Sequence, residues 1–235
     1  MNILAYRFLF NFTLILMMTL GSSLSYSQNP SQNPNHSQTN NPSILILGDS
    51  LSAGYGLNLE ESWPALLQAQ LNQSAAPYQV HNASISGQTS AEGAAQIDEL
   101  LARVKPNVVI LELGANDGLR GLSIKQMKVN LQTMIEKSQQ QGAQVLLVGI
   151  RTPDNYGRRY GEQFRAVFAN LAQSHNTGLV PFMLAPLESV ITETNRMEYI
   201  QADGLHPTAK AQPLILQPIW QALTPLLALQ VESTH

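Results

Sequence analysis

From Ser43 onward, short aliphatic runs alternate with longer segments of helical periodicity, and this alternation restricts the possible folds more than any other feature of the chain. The strand candidates are Ile44 to Leu47, Tyr78 to Asn82, Val108 to Leu113, Val145 to Ile150 and Leu179 to Phe182. Helical patterns fall at roughly Ser62 to Asn72, Ala91 to Val104, Ser123 to Gln141 and Gly161 to His175. Trp63-Pro64 reads as a helix start with proline in the first turn. A last helix is expected from Pro207 or Thr208 toward Leu229, with breaks at Pro213, Pro218 and Pro225. Parallel strands need crossovers, and helical crossovers cover both faces of the sheet. Right-handed crossovers then leave a flavodoxin-like, doubly wound, five-stranded parallel α/β sheet, a three-layer α/β/α arrangement.

The first 42 residues read differently. Arg7 precedes a mostly apolar stretch from Phe8 to Leu20, followed by small residues, the pattern of a secretory leader. Ser25 and Ser27 fit the small-x-small rule, so cleavage is expected after Ser27, with Ser23 to Ser25 as the alternative site. Asn11 and Thr13 interrupt the stretch, which argues against its persisting as a membrane anchor. Residues 28–42 (QNPSQNPNHSQTNNP) contain almost nothing apolar and are expected to form a disordered polar linker. The expected organisation is a signal peptide over 1–27, the linker over 28–42 and one domain over 43–230. The location is then periplasmic or secreted, with no stable membrane span after processing, and the protein acts as a monomer.

Composition removes several function classes. The net charge of -3 and the absence of any Lys/Arg run exclude an extended phosphate-tracking surface, so nucleic acid is not an expected partner. With no cysteine, the chain has no disulfide framework, no thiol nucleophile and no thiolate metal site. Gly54-Tyr55-Gly56 is followed by Leu59 where a dinucleotide loop needs its third glycine, and no Walker A sequence occurs.

In a doubly wound sheet the functional crevice lies beyond the carboxyl ends of the strands. Those positions carry Gly48-Asp49-Ser50-Leu51, Ser86-Gly87, Gly114-Ala115-Asn116-Asp117 and, beyond the fifth strand, Asp203-Gly204-Leu205-His206-Pro207. A serine hydroxyl attacks a carbonyl only when a base takes its proton and donors hold the resulting oxyanion. Ser50 fits the nucleophile, His206 the base, and Asp203, three residues earlier on one turn, the group that orients the imidazole. The oxyanion donors are then the backbone N–H groups of Ser50 and Gly87 and the side-chain amide of Asn116.

Each element also has a structural reading. Gly-Asp-Ser-Leu is four common residues, Asp-Gly before a histidine is often a turn, and Gly114 to Gly118 can be an ordinary strand-to-helix loop. Their joint occurrence in order, each after a strand, favours the catalytic reading. His36, His81, His175 and His235 lack acidic partners at useful spacing and read as structural or solvated. Asp49, Asp117 and His206 can be drawn as a divalent-cation site, but that leaves Gly87 and Asn116 without a role, so no metal is assigned.

These blocks resemble the SGNH, or GDSL, hydrolase family, whose four motifs supply Ser, Gly, Asn and a closing Asp-x-x-His. The segments that carry the likeness are ILILGDSLSAGYGL, NASISGQTS, LELGANDGLRG, the NYGRRY stretch from Asn155 to Tyr160, and DGLHP. Within the family the chain is most similar to the bacterial periplasmic branch that combines thioesterase, lysophospholipase and arylesterase activities. The resemblance spans about Ser43 to Leu227 and implies a serine esterase that needs no cofactor, with Ser50, Asp203 and His206 as triad and Gly87 and Asn116 as oxyanion partners. Ala115, Gln88 and Thr152 depart from the family pattern. Gln88 and Thr152 are expected at the substrate crevice, and Phe182, Met183, Leu184 and Leu187 along an acyl channel or, equally, packing a helix onto the sheet. The expected substrate is a small acyl ester or lysophospholipid. Alternatives are a carbohydrate O-acetylesterase with the same triad and a noncatalytic lipid- or sugar-binding protein of the same fold.

Overall fold

β1 (Ser43–Gly48) and β3 (Val108–Glu112) are buried along their whole length, as strands covered on both faces must be. The structure is a computed structural model that describes residues 41–73, 78–152 and 156–232. The leader 1–27, the polar segment up to residue 40, His36, Asn155 and His235 lie outside the described residues. Of the expected linker, Pro42 is described, and its carbonyl already accepts the Gln79 N–H at 2.8 Å.

β2 (Gln79–Asn82), β4 (Gln144–Val148) and β5 (Gly178–Val180) complete one all-parallel sheet in the order β2-β1-β3-β4-β5. The expected flavodoxin-like order is therefore observed. The chain leaves β1 toward β2 and returns past it to β3, so the topological switch lies between β1 and β3, and a crevice opens where their carboxyl ends diverge.

Helices cover both faces. α2 (Trp63–Leu71) and α9 (Gln212–Glu232) pack together on one side, while α3 (Ser90–Val104), α5 (Ile124–Gln140) and α6 (Arg158–His175) lie side by side on the other. Their buried stripes, such as Met127, Leu131, Met134 and Ile135 on α5, recur at helical spacing and close over the strands. Four short helices, α1 (Ser50–Ala53), α4 (Ala115–Leu119), α7 (Ala185–Glu188) and α8 (Arg196–Tyr199), lie in the loops after β1, β3 and β5. Among the described residues no helix is long and apolar enough to cross a membrane.

Most element boundaries shift by one to three residues, and those of β4, β5 and the last helix bear on the site. β4 and β5 end at Val148 and Val180 because their paired register stops there, and Phe182 and Met183 have already left the sheet. The last helix begins at Gln212, preceded by a 3-10 turn over Ala209–Ala211. It then runs through Pro218 and Pro225 without the expected breaks. Each proline removes one backbone bond, to the carbonyls of Leu214 and Gln221, but burial of Ile215, Ile219 and Leu223 holds the helix on the sheet.

Candidate active site

The loops at the carboxyl ends of the strands enclose a cleft of about 480 Å³, within the range of small-molecule sites. Ser50 follows β1 directly and starts α1, with Asp49 as the cap that accepts the Leu51 N–H at 3.1 Å. His206 Nε2 lies 2.8 Å from Ser50 Oγ, and His206 Nδ1 lies 2.6 Å from Asp203 Oδ2. Three residues separated by up to 156 positions thus form one hydrogen-bonded line, of which Ser50 and His206 stand on the cleft wall and Asp203 behind them.

The local chain explains why Asp203 holds its place. Its second oxygen, Oδ1, accepts the backbone N–H groups of Leu205 and His206 at 2.9 and 3.0 Å, closing the Asp-Gly-Leu-His turn on itself. Those two bonds, with the imidazole bond after them, hold the Asp203 carboxyl down at about 2, so it is ionised at any ordinary pH. An antiparallel bridge between Ile200 and Pro207, and the Gln201 N–H bonded to the His206 carbonyl at 2.8 Å, fix the loop's base.

Ser86, Gly87 and Asn116 also line the cleft. The backbone N–H groups of Ser50 and Gly87 make no hydrogen bond among the described residues. Gly87 has φ +82°, a conformation that other residues adopt only with strain. The Asn116 amide donates to Asp49 Oδ2 at 3.2 Å and to the Gln88 carbonyl at 3.1 Å. Both bonds are long, so either N–H can be redirected toward an anion in the cleft at small cost.

Residues 46–213 match the GDSL-like Lipase/Acylhydrolase family. The chain belongs to that family. Esterase TesA of Pseudomonas aeruginosa is 47% identical over 184 residues, covering 78% of this chain and 89% of the relative. Thioesterase 1/protease 1/lysophospholipase L1 of Escherichia coli (strain K12) is 41% identical over 184 residues, 78% of this chain and 84% of the relative. A crystal structure of TesA superposes with a TM-score of 0.72 at 47% identity, covering 78% of this chain and 99% of that one. Family membership and these relatives make the chain an ester-hydrolysing enzyme.

Within this acylhydrolase, Thr152 and Leu184 reach the cleft, with Leu51, Leu119, Ile150 and Leu205 as further apolar wall. Met183 does not. Its side chain is fully buried in the core, because its backbone N–H bonds the Gly149 carbonyl and turns the residue under the sheet edge. Leu187 is likewise core, and Phe182 lies beneath the Arg151 guanidinium, 4.2 Å from the ring centre. Gln88 is buried outside the cleft and contributes its carbonyl to Asn116. Asp117, drawn above as a possible metal ligand, instead accepts Ser90 N–H and Oγ at 2.8 and 2.6 Å, and among the described residues no cluster of three His, Asp or Glu side chains forms a metal site.

Four residues of the site escaped sequence reading. Tyr55 packs its ring on His206 with centroids 4.4 Å apart. Gln201 donates to the carbonyls of Tyr55 and Pro207 at 2.8 and 2.9 Å, joining the loop after α1 to the histidine loop. Arg120 donates to the Gly87 carbonyl at 2.7 Å and ties the Gly87 loop to the segment after β3. Glu112 lies beneath the Ser50 turn. For Glu112 a signal existed, an acid inside an otherwise aliphatic run; for the others, polar residues in loops, no local pattern marks the contact.

Burial raises the Asp49 carboxyl from its ordinary 3.8 to about 6, against the opposing Leu51, His206 and Asn116 contacts. Because the folded value is the higher one, the folded protein holds more protons than the unfolded chain between those limits. Asp49's contribution to stability therefore falls as pH rises from about 4 to about 6 and is constant above. We expect the difference in Tm between D49N and the wild type to move in favour of D49N by several degrees between about pH 4 and pH 7. A difference that stays flat across that window, measured by circular dichroism, contradicts the assignment.

Proposed function

We propose that the protein is an exported serine esterase that cleaves fatty-acyl and aryl esters, including lysophospholipids and acyl thioesters, by two-step acyl transfer. Ser50 attacks the ester carbonyl as His206 takes its proton. His206 returns that proton to the leaving alcohol, and water then repeats the sequence in reverse to release the acid and free Ser50. Asp203 accepts a hydrogen bond from Nδ1–H and stays ionised, which leaves the Nε2 lone pair facing the serine. The Ser50 and Gly87 N–H groups and the Asn116 amide hold the oxyanion. The oxygen, ring and carboxylate belong to this chain, and the scheme calls for no metal or cofactor.

The observation that carries this reading is the unbroken line from Asp203 Oδ2 through His206 to Ser50 Oγ, at 2.6 and 2.8 Å, with two unbonded N–H groups beside it. The aliphatic walls support an acyl chain over a sugar. The names of the relatives, an esterase and a thioesterase/lysophospholipase, agree with that class of substrate. Export rests on the leader pattern of residues 1–27, and the monomeric state on expectation from sequence.

A fluorophosphonate probe is the direct test: a covalent adduct on Ser50 is expected, while a noncatalytic binder stays unlabelled. In a panel of p-nitrophenyl esters, L184A is expected to change relative kcat/KM by about tenfold between short and long chains, the value of one or two methylenes in an apolar pocket. M183A is expected to leave that profile intact. Turnover of acetylated sugars with none of chains beyond a few carbons would instead favour the O-acetylesterase.

A further inference from the structure

We propose that Glu112 is the positioning residue of the nucleophile turn and performs that role as an uncharged carboxylic acid. The inference rests on the reading of Ser50 as the nucleophile. Glu112 ends β3, and its register partner on β1 is Gly48, so its carboxyl sits beneath the turn that carries Ser50. Its Oε2 accepts the Ser52 hydroxyl at 2.7 Å and the Asp49 N–H at 3.3 Å, contacts that flank Ser50 on either side. A Cβ on Gly48 would stand 2.8 Å from that same oxygen and 2.8 Å from Ser52, so only glycine lets the strand pass this close. Gly48, Asp49 and Ser52, three residues of the Gly-Asp-Ser-Leu-Ser stretch, therefore all meet one carboxyl oxygen.

The charge state follows from the surroundings. Glu112 is 1% exposed, its Oε1 is buried without a hydrogen-bond partner, and none of the ion pairs among the described residues includes it. An anion with a bare oxygen in such a place costs far more than a neutral acid. The Asp49 carboxyl is its close neighbour, and burial together with that charge pushes Glu112 well above the usual carboxylate range. Asp49 is the better seat for a single charge, because Leu51 N–H and the Asn116 amide both donate to it. Glu112 thus pins the turn without adding a second negative charge behind Ser50, where it would oppose an oxyanion forming in the cleft.

The test compares E112Q, E112A, S52A and S50A in the full chain, assayed on a short p-nitrophenyl ester. Glutamine keeps an acceptor oxygen for both bonds, so E112Q is expected to retain kcat within about threefold. E112A is expected to lose about 10- to 100-fold in kcat with KM changed less than about twofold, and S52A a smaller share of the same loss. The wild-type-minus-E112Q infrared difference spectrum near pH 8 should contain the C=O band of a protonated carboxyl. If E112A does not fold, E112Q and the infrared band still decide. Loss of kcat in E112Q by 10-fold or more, absence of the band, or wild-type kcat in E112A overturns the proposal. Retained turnover in S50A overturns the nucleophile assignment instead, and the infrared band separates that failure from this one.

Discussion

S50A is expected to lower kcat/KM for a short p-nitrophenyl ester by roughly 10⁴- to 10⁶-fold, the range found when a serine nucleophile is removed from a complete triad. The size follows from the absence of a substitute. Ser52, two residues on, is fully buried, with its hydroxyl committed to Glu112 at 2.7 Å. Ser86 lines the cleft, but the imidazole faces Ser50, and Ser50 alone supplies an oxygen to His206 Nε2 among the described hydrogen bonds. Folding should be little affected, since Ser50 is only half-buried, its hydroxyl bonds His206 at the cleft, and the cap at Asp49 is untouched. Turnover within tenfold of wild type, in a sample whose melting curve is unchanged, would remove Ser50 from the mechanism.

The second large effect is expected from D203N, about 10³- to 10⁴-fold in kcat with KM changed less than about threefold. Asparagine can retain Oδ1 as acceptor for the Leu205 and His206 N–H groups, so the turn survives. Its amide nitrogen then faces His206 Nδ1. A donor in that place favours the tautomer that carries its proton on Nε2, which donates to Ser50 where it should accept. The hydroxyl loses its base although all three side chains keep their positions. Because the Asp203 carboxyl is held at about 2, it remains charged throughout the assay range, and an acid limb between about pH 4 and pH 7 must come from other groups. D203N with near wild-type kcat would show that the imidazole needs no orienting acceptor.

Much of this site was legible in one dimension, for a specific reason. Ser50, Gly87 and Asn116 each follow a strand by a few residues, and in a parallel sheet all strand ends of one kind lie on one rim. Asp203 and His206 are three apart, so a single turn brings them together. The apolar wall of the cleft was legible only in part. Leu184 and Met183 are adjacent and equally apolar, yet one lines the cleft and the other fills the core, since the chain direction after β5 is set by the Gly149 contact and not by either side chain. The prolines of α9 show the same limit from the other side: local propensity predicts breaks, and packing overrides it.

The sequence by itself determined the alternation of strand and helix, hence the parallel doubly wound sheet, and the residue types at its carboxyl rim, because periodicity and strand-end position are local properties that survive in any register. The tertiary structure alone decided that Glu112 lies under Ser50, that Arg120 holds the Gly87 loop, and that Tyr55 and Gln201 brace the histidine loop. Each of those contacts joins segments 33 to 151 residues apart, and their meeting depends on how three layers pack, a sum over many weak apolar contacts that no single segment encodes.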